Sequence, residues 1–329
     1  MIRFLGRRTL YMLLTVWVIS IISFVLIQLP PGDYVTNLVS EMMAQGADKI
    51  SPEVVSALRE QYGLNDPVYV QYFKWIRNIV LEGDFGYSLT FKRDAVEIIM
   101  ERLPMTFILT SASVIFIWAV ALPVGIFSAV KQYSIADYVA TFVGFIGLAV
   151  PNFLFALILM YLSYKYGGKA LIGLFSEQYA NAPWSWDKFL DLLNHLWIPV
   201  IIIGTAGTAG LIRTMRANLL DELNRPYVDA ARAKGLPETR LIWKYPVRYA
   251  LNPFVSTIGW VLPQLVAGEV IVSIVLNLPT SGPVLFNALM DQDMFVAAGF
   301  ILVLSALTVV GTFISDVLLA VLDPRIRLA

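Results

Sequence analysis

The chain has 329 residues, of which 58% are hydrophobic and 15% charged, and its 24 Lys/Arg balance 24 Asp/Glu. An average soluble domain is about a quarter charged, so this composition points to a membrane protein, and zero net charge argues against nucleic acid as a partner. With no cysteine and one histidine, His195, the sequence excludes disulfides, thiolate zinc sites and cysteine nucleophiles, and argues against a His-based metal cluster or catalytic triad.

The first element is TLYMLLTVWVISIISFVLIQL, residues 9–29, which carries no charge. It is too long for the apolar core of a signal peptide, and no small-x-small cleavage pattern follows. At about 1.5 Å per residue it matches a hydrocarbon layer of about 30 Å. It reads as a retained transmembrane helix.

Residues 30–104 are polar enough for an extracytoplasmic region. Within it, 51–63 reads as an amphipathic helix capped by Ser51 and stopped by Gly63. A second helix is expected over 66–81, with Tyr69, Tyr72, Phe73 and Trp75 as membrane-interface anchors or core residues. Five further apolar spans follow, at 105–130, 138–162, 196–212, 254–278 and 294–322, which makes six. Pro123, Pro151, Pro199 and Pro263 fall inside them and are tolerable where neighbouring helices re-satisfy the backbone. The insert 163–195 holds Trp184 and Trp186, with Trp197 just beyond, and reads as an aromatic belt. His195 at its edge reads as a surface or satisfied histidine.

Orientation follows from Lys and Arg. With the N-terminus inside, the cytoplasmic segments hold 14 Lys/Arg in 63 residues and the outer segments 10 in 123. Both termini are then cytoplasmic. No G-x-x-x-x-G-K-[ST] loop is present, so this chain is not expected to hydrolyse ATP, and no Ser/His/Asp or H-E-x-x-H pattern appears.

The cytoplasmic segment 213–253 concentrates eight Lys/Arg between Arg213 and Arg248. Its centre reads YVDAARAKGLPETRLIWKYP. Ala230, Ala231 and Ala233 favour a helix with a shallow surface, and Gly235 permits a left-handed turn. Pro237 and Glu238 suit the start of the next helix. Two short helices meeting at an angle are expected. Positive-inside charge alone does not call for that pattern of small residues.

These residues resemble a known family. D-A-A-R-A-K-G-L at 229–236 is similar to the EAA loop of permease subunits of ABC importers, with Asp229 in place of the usual Glu. The I-x-L-P continuation of that loop is unmatched at Tyr245, Pro246, Val247 and Arg248. The stretch Arg248–Pro253 instead resembles the ending found in the dipeptide/oligopeptide branch. Further segments resemble that branch in order. They are the N-terminus through Pro31-Gly32-Asp33, REQYGLNDPVYVQYFKWI, GDFGYSLTFKRDAVEIIMERLPMT, and Asp316 with Asp323-Pro324-Arg325.

The resemblance implies an all-α polytopic membrane protein with six transmembrane helices and the MetI-like transmembrane domain of type I ABC importers. It covers residues 1–329 as one permease: the first helix at 9–29, the outer region 30–104, and a five-helix core at 105–322 that includes the coupling loop 213–253 and the insert 163–195. The implied partners are a second homologous permease subunit, two ATP-binding subunits, an extracytoplasmic solute-binding protein and membrane lipid. ATP and magnesium belong to the partner subunits, and this chain carries no cofactor. Asp229, Ala230, Ala231, Gly235 and Leu236 are the implied docking core, with Arg232 and Lys234 facing acidic residues on the ATPase rim.

Pro279-Thr280-Ser281-Gly282 departs from the family's P-G-x-G ending, and Ser273 stands where its Glu is expected. Glu269 lies one helical turn earlier. Glu269 and Ser273 are therefore candidates for the translocation path, against an interhelical hydrogen bond as the structural alternative. The implied function is ATP-driven import of di- or oligopeptides across the inner membrane of a prokaryote by alternating access. Oligosaccharide import by the same machinery is the alternative substrate reading. An ion-coupled secondary transporter is a further one, although neither inverted repeats nor several intramembrane charges are evident.

Overall fold

The structure is a computed structural model. It describes residues 2–28, 35, 36, 39, 43, 51–61, 64–88, 90–167, 172–256 and 269–322. Expectations placed on residues 31–33, Gly63, Pro263 and 323–325 lie outside the described residues, as do residues 257–268 of the span expected at 254–278.

The chain is mostly helical, as its uncharged runs require, and divides into two compact units: Met1–Leu10 with Met105–Pro279 and Thr308–Ala329, and Tyr11–Pro104 with Thr280–Leu307. Its long helices include α1 (Ile2–Gln28), α4 (Ala95–Val130) and, at the C-terminal end, α13 (Met294–Leu322).

In the first unit the hub is α8 (Trp186–Leu223), which packs against α5 (Ile135–Ala149), α6 (Asn152–Gly167) and α11 (Pro246–Ser256). Its Gly-Thr run explains how the helices approach. A Cβ on Gly204 would meet the Phe116 ring of α4 at 2.5 Å, so only glycine fits. Thr208 Oγ1 donates to the Gly204 carbonyl at 2.8 Å, which hides its hydroxyl within its own helix.

The expected span 138–162 is not straight. α5 and α6 meet at a bend of 102°. Pro151 cannot donate to the helix, and it drives the preceding Val150 into extended backbone at φ −84°, ψ 120°. Pro199, by contrast, lies inside α8 without ending it. Helix ends also differ from expectation. α4 begins ten residues before 105, and α8 runs from 186 to 223 rather than over 196–212 alone. Among the described residues four helices are long and apolar enough to cross a membrane, or five with the bent pair as one span. Many large apolar side chains face outward on them, among them Leu13 and Trp17 on α1 and Phe142 on α5, as hydrocarbon solvent allows.

Aromatic side chains cluster around α7 (Glu177–Ala180) and the start of α8 in the first unit. Lys188 donates to the Ala182 carbonyl at 2.6 Å and lies over the rings of Phe175 and Trp184. His195 is satisfied by the Asp191 carbonyl at 2.8 Å from Nδ1.

The second unit holds α2 (Pro52–Gln61), α3 (Val68–Glu82), the hairpin β1 (Tyr87–Ser88) and β2 (Arg93–Asp94), and α12 (Ser281–Met290). The two-residue strands pair antiparallel, Tyr87 with Asp94 and Ser88 with Arg93, a small addition to the expected all-α fold. Ser51 caps α2 through its Oγ at 3.4 Å from the Val54 N–H. The aromatic stripe divides in two. Tyr72 and Trp75 are buried with Phe24, while Tyr69 and Phe73 are exposed. Tyr72 Oη lies 2.7 Å from Ser20 Oγ, and Trp75 Nε1 donates to the Phe85 carbonyl.

Asp293 organises the end of this unit. Its carboxylate accepts from the buried Ser88 hydroxyl at 2.5 Å and from the Val296 N–H at 3.3 Å, so one side chain holds the hairpin to the start of α13. Burial raises the Asp293 carboxyl above the ordinary range, and the Ser88 bond opposes this.

Candidate functional site

The segment that follows α8 holds the two short helices expected, α9 (Pro226–Ala233) and α10 (Glu238–Lys244), and α11 follows them. Pro226 opens α9 at a position where its missing N–H costs nothing. Lys234 ends α9, and its N–H bonds the Ala230 carbonyl. Gly235 follows at φ +76°, the left-handed conformation that the sequence called for. Its N–H bonds the Arg232 carbonyl at 2.9 Å, and the Leu236 N–H closes on Ala231 at 3.4 Å. Pro237 is the N-cap of α10, just outside its first turn.

Beneath the turn lies a small apolar core. Val228 and Leu241 are fully buried and Ala231 is 7% exposed, with Tyr227, Leu236, Ile242 and Tyr245 packed around them. Ala231 is thus a packing residue, where the sequence reading placed it on the docking surface. Spacing explains the difference: Val228 and Ala231, three apart, share the inward face of α9. Asp229, Ala230, Lys234 and Gly235 are exposed, and Leu236 is half-buried.

The charges also divide. Arg232 Nε donates to Glu238 Oε1 at 2.7 Å across the turn, and its Nη1 to Asp229 Oδ1 at 3.3 Å. The Glu238 bond, and less so Asp229, hold the guanidinium even more firmly protonated than usual. Arg232 was expected to face a partner's acidic rim; here it braces its own loop. Tyr227 Oη donates to Glu222 Oε2 at 2.6 Å. Burial first, and then the Glu222 bond, push the Tyr227 phenol far above its ordinary range, so it remains a donor.

A clamp that sequence reading missed lies between α5 and α8. Arg216 Nε and Nη2 donate to the two Asp137 oxygens at 3.1 and 3.0 Å. Asp137 Oδ2 also accepts from the Tyr133 N–H at 3.0 Å, and Ser134 Oγ accepts from the Asp137 N–H. The partners are 79 residues apart, so no local spacing signals the pair.

Glu269 and Ser273 sit as expected on one face of a helical stretch, residues 269–275. They are 2% and 0% exposed, and Ser273 Oγ donates to Glu269 Oε1 at 3.5 Å. No group of three or more His, Cys, Asp or Glu able to hold a metal occurs among the described residues.

Comparison with known proteins shows the family. Residues 121–328 match the family described as the inner membrane component of binding-protein-dependent transport systems, and residues 1–110 match the N-terminal region of such components. The chain is 39% identical over 329 residues to the oligopeptide transport system permease protein AppB of Bacillus subtilis, covering 99% of this chain and 100% of that protein. It is 30% identical over 343 residues to the dipeptide transport system permease protein DppB of Escherichia coli K12, covering 99% of each. It is 28% identical over 328 residues to the oligopeptide transport system permease protein OppB of Haemophilus influenzae, covering 99% of this chain and 100% of that one. With its several apolar helices, the chain is a multi-pass integral membrane protein, and it belongs to the family of binding-protein-dependent transport system inner membrane components.

Proposed function

We propose that this chain is a permease subunit that forms half of the path for di- or oligopeptides through an ATP-driven importer in a prokaryotic inner membrane. The observation that carries the reading is the loop α9–Gly235–α10. It is a rigid turn with its own apolar core, an exposed small-residue face and an internally neutralised charge network, the features of a surface that transmits force between proteins. In this reading both termini are cytoplasmic, and the chain itself does no covalent chemistry and holds no cofactor. ATP and magnesium are handled by two ATP-binding subunits that dock on Asp229, Ala230, Lys234, Gly235 and Leu236, while Ala231 and Arg232 hold those residues in place. A homologous permease completes the channel, and an extracytoplasmic binding protein delivers the ligand. Closing of the ATPase dimer moves α9 and α10, and α8, continuous with this loop, carries the motion into the membrane. Glu269 and Ser273 are assigned to the lining of the path or to its internal bracing.

The substrate class rests on the names of the relatives, which are oligopeptide and dipeptide permeases. The test is binding of peptides and of oligosaccharides by the cognate extracytoplasmic protein, followed by ATP-driven uptake in vesicles holding the complete complex. Peptide binding and uptake are expected; selective oligosaccharide uptake would overturn the substrate assignment.

A further inference from the structure

Beside the crossing of α5 and α8 lies a shallow crevice. Gly144, Phe145 and Leu148 line it from α5, and Ala209 and Ile212 from α8, at spacings that keep each set on one face of its helix. A Cβ on Gly144 would stand 3.4 Å from the Ala209 Cβ, so little space separates the two helices there. Exposed Tyr138, Phe142 and Phe145 continue the apolar surface along α5. Arg216 also lines the crevice, but both Asp137 oxygens already hold its guanidinium. Arg213, one turn away on α8, is different. It is exposed and makes no ion pair and no side-chain hydrogen bond among the described residues. Its Cζ lies 5.5 Å from the centre of the Phe145 ring, which places the guanidinium against the wall of the crevice. Arg213 also follows directly on the uncharged run 196–212, so it stands where the hydrocarbon layer ends. A cation at that boundary, with no acid of its own, is satisfied by an anion from outside the chain.

We propose that the crevice holds one anionic phospholipid, its phosphate paired with Arg213 and an acyl chain lying along Gly144, Leu148 and Ala209. Charge complementarity selects the headgroup, since a guanidinium binds a phosphate through two parallel N–H bonds. The walls select the rest of the ligand. Thr141 is the one neutral polar residue among those described that line the crevice, so the amides of a peptide would go largely unpaired there, whereas an acyl chain needs no partner. Basic pockets between transmembrane helices on the cytoplasmic side hold anionic headgroups. The orientation given above puts this site in the cytoplasmic leaflet. The inference rests on the chain crossing the membrane, and not on which substrate it moves.

The test is native mass spectrometry of the full chain in detergent, titrated with phosphatidylglycerol or with phosphatidylcholine of the same acyl chains. Tighter binding of phosphatidylglycerol is expected. Arg213→Gln should weaken it about fivefold, the scale for one cation at an anionic surface, and leave phosphatidylcholine binding unchanged. Arg213→Lys keeps the charge and should retain most of the preference. The residue is exposed and outside the Asp137 clamp, so neither variant should lower the melting temperature of the lipid-free chain. Equal affinity for the two lipids, or a glutamine variant that discriminates as well as wild type, overturns the proposal. A lysine variant as poor as the glutamine one would overturn the charge pairing that selects the headgroup. Uptake by the complete complex supplies the last arm. If Arg213→Gln keeps its lipid but slows uptake of peptides with a free C-terminus more than that of their C-terminal amides, the guanidinium serves a substrate carboxylate and the lipid assignment falls. Normal lipid discrimination in a complex that moves no peptide would instead leave this site standing and remove the peptide reading.

Discussion

Gly235 sits at φ +76° with no atom within 4 Å of where a Cβ would be. A substitution there meets backbone strain alone, with no steric neighbour to confuse its effect. Left-handed backbone costs about 1–2 kcal/mol for an ordinary residue and more for a β-branched one. Gly235→Val is therefore expected to reach the membrane yet re-aim α10 against α9, so that ATP hydrolysis continues with little uptake. Gly235→Asn, which tolerates the left-handed region, should retain coupling. Moles of substrate moved per ATP hydrolysed measure this, and a normal ratio in the valine variant would count against the docking loop. Asp293 supports a second residue-scale expectation. Burial raises its carboxyl in the folded state, so the favourable contribution is complete below the unfolded value near 3.9 and is lost as pH rises through the higher folded value. Asp293→Asn keeps one acceptor, for the Val296 N–H, turns its amide as a donor toward the Ser88 hydroxyl, and cannot ionise. Melting temperature recorded against pH should therefore fall less steeply from mildly acidic to neutral pH in the variant, and identical slopes would sink the assignment.

At the scale of elements, the link between α5 and α8 is the pair Asp137–Arg216. Asp137 is 3% exposed and ties together the turn at Tyr133, the first turn of α5 and α8. Asp137→Ala removes every acceptor and leaves a partly buried guanidinium unmatched, which should cost about 3 kcal/mol. Arg216→Lys should cost less, since an ammonium still pairs with Asp137 but cannot make two parallel bonds to one carboxylate. Melting temperatures of the detergent-solubilised chain would show the order wild type, lysine variant, alanine variant; an unchanged alanine variant would mean that the clamp is idle. This pair also shows what sequence leaves hidden. The long helices were legible because runs such as 105–130 carry no charge. Their ends were not, because Glu97, Glu101 and Arg102 are good helix formers that let α4 begin at Ala95 beyond the apolar run. Pro151 was visible, yet nothing local separates it from Pro199, and only the first breaks its helix. The turn at Gly235 was legible from residue type. The inward phase of Ala231 and the bond from Arg232 to Glu238 were not, since both depend on how α10 folds back.

At the scale of the whole molecule, the question is whether transport draws on any charge at membrane depth. α4, with 36 residues, is about 54 Å long at 1.5 Å per residue, well over the roughly 30 Å of hydrocarbon, so its charged first turns can stand in water. Glu269 is different: it is 2% exposed and lies in a helical stretch beside Ser273. An intramembrane acid that carries a coupling ion must ionise and exchange its proton, and glutamine cannot do so. An acid that only braces its helix needs an acceptor oxygen, and glutamine supplies one to the Ser273 hydroxyl. The energy source assigned here is ATP, which removes the need for a coupling ion, and we propose the bracing role for Glu269. Glu269→Gln is expected to keep ATP-driven uptake within about a factor of two, under 0.5 kcal/mol on the tenfold-per-1.4 scale. Glu269→Leu, which leaves the Ser273 hydroxyl without this acceptor, should instead lower the amount of assembled complex. Uptake and ATP hydrolysis measured on the same vesicles separate the cases. If the glutamine variant hydrolyses ATP at the normal rate but moves no substrate, Glu269 lies on the path itself and the bracing assignment is wrong.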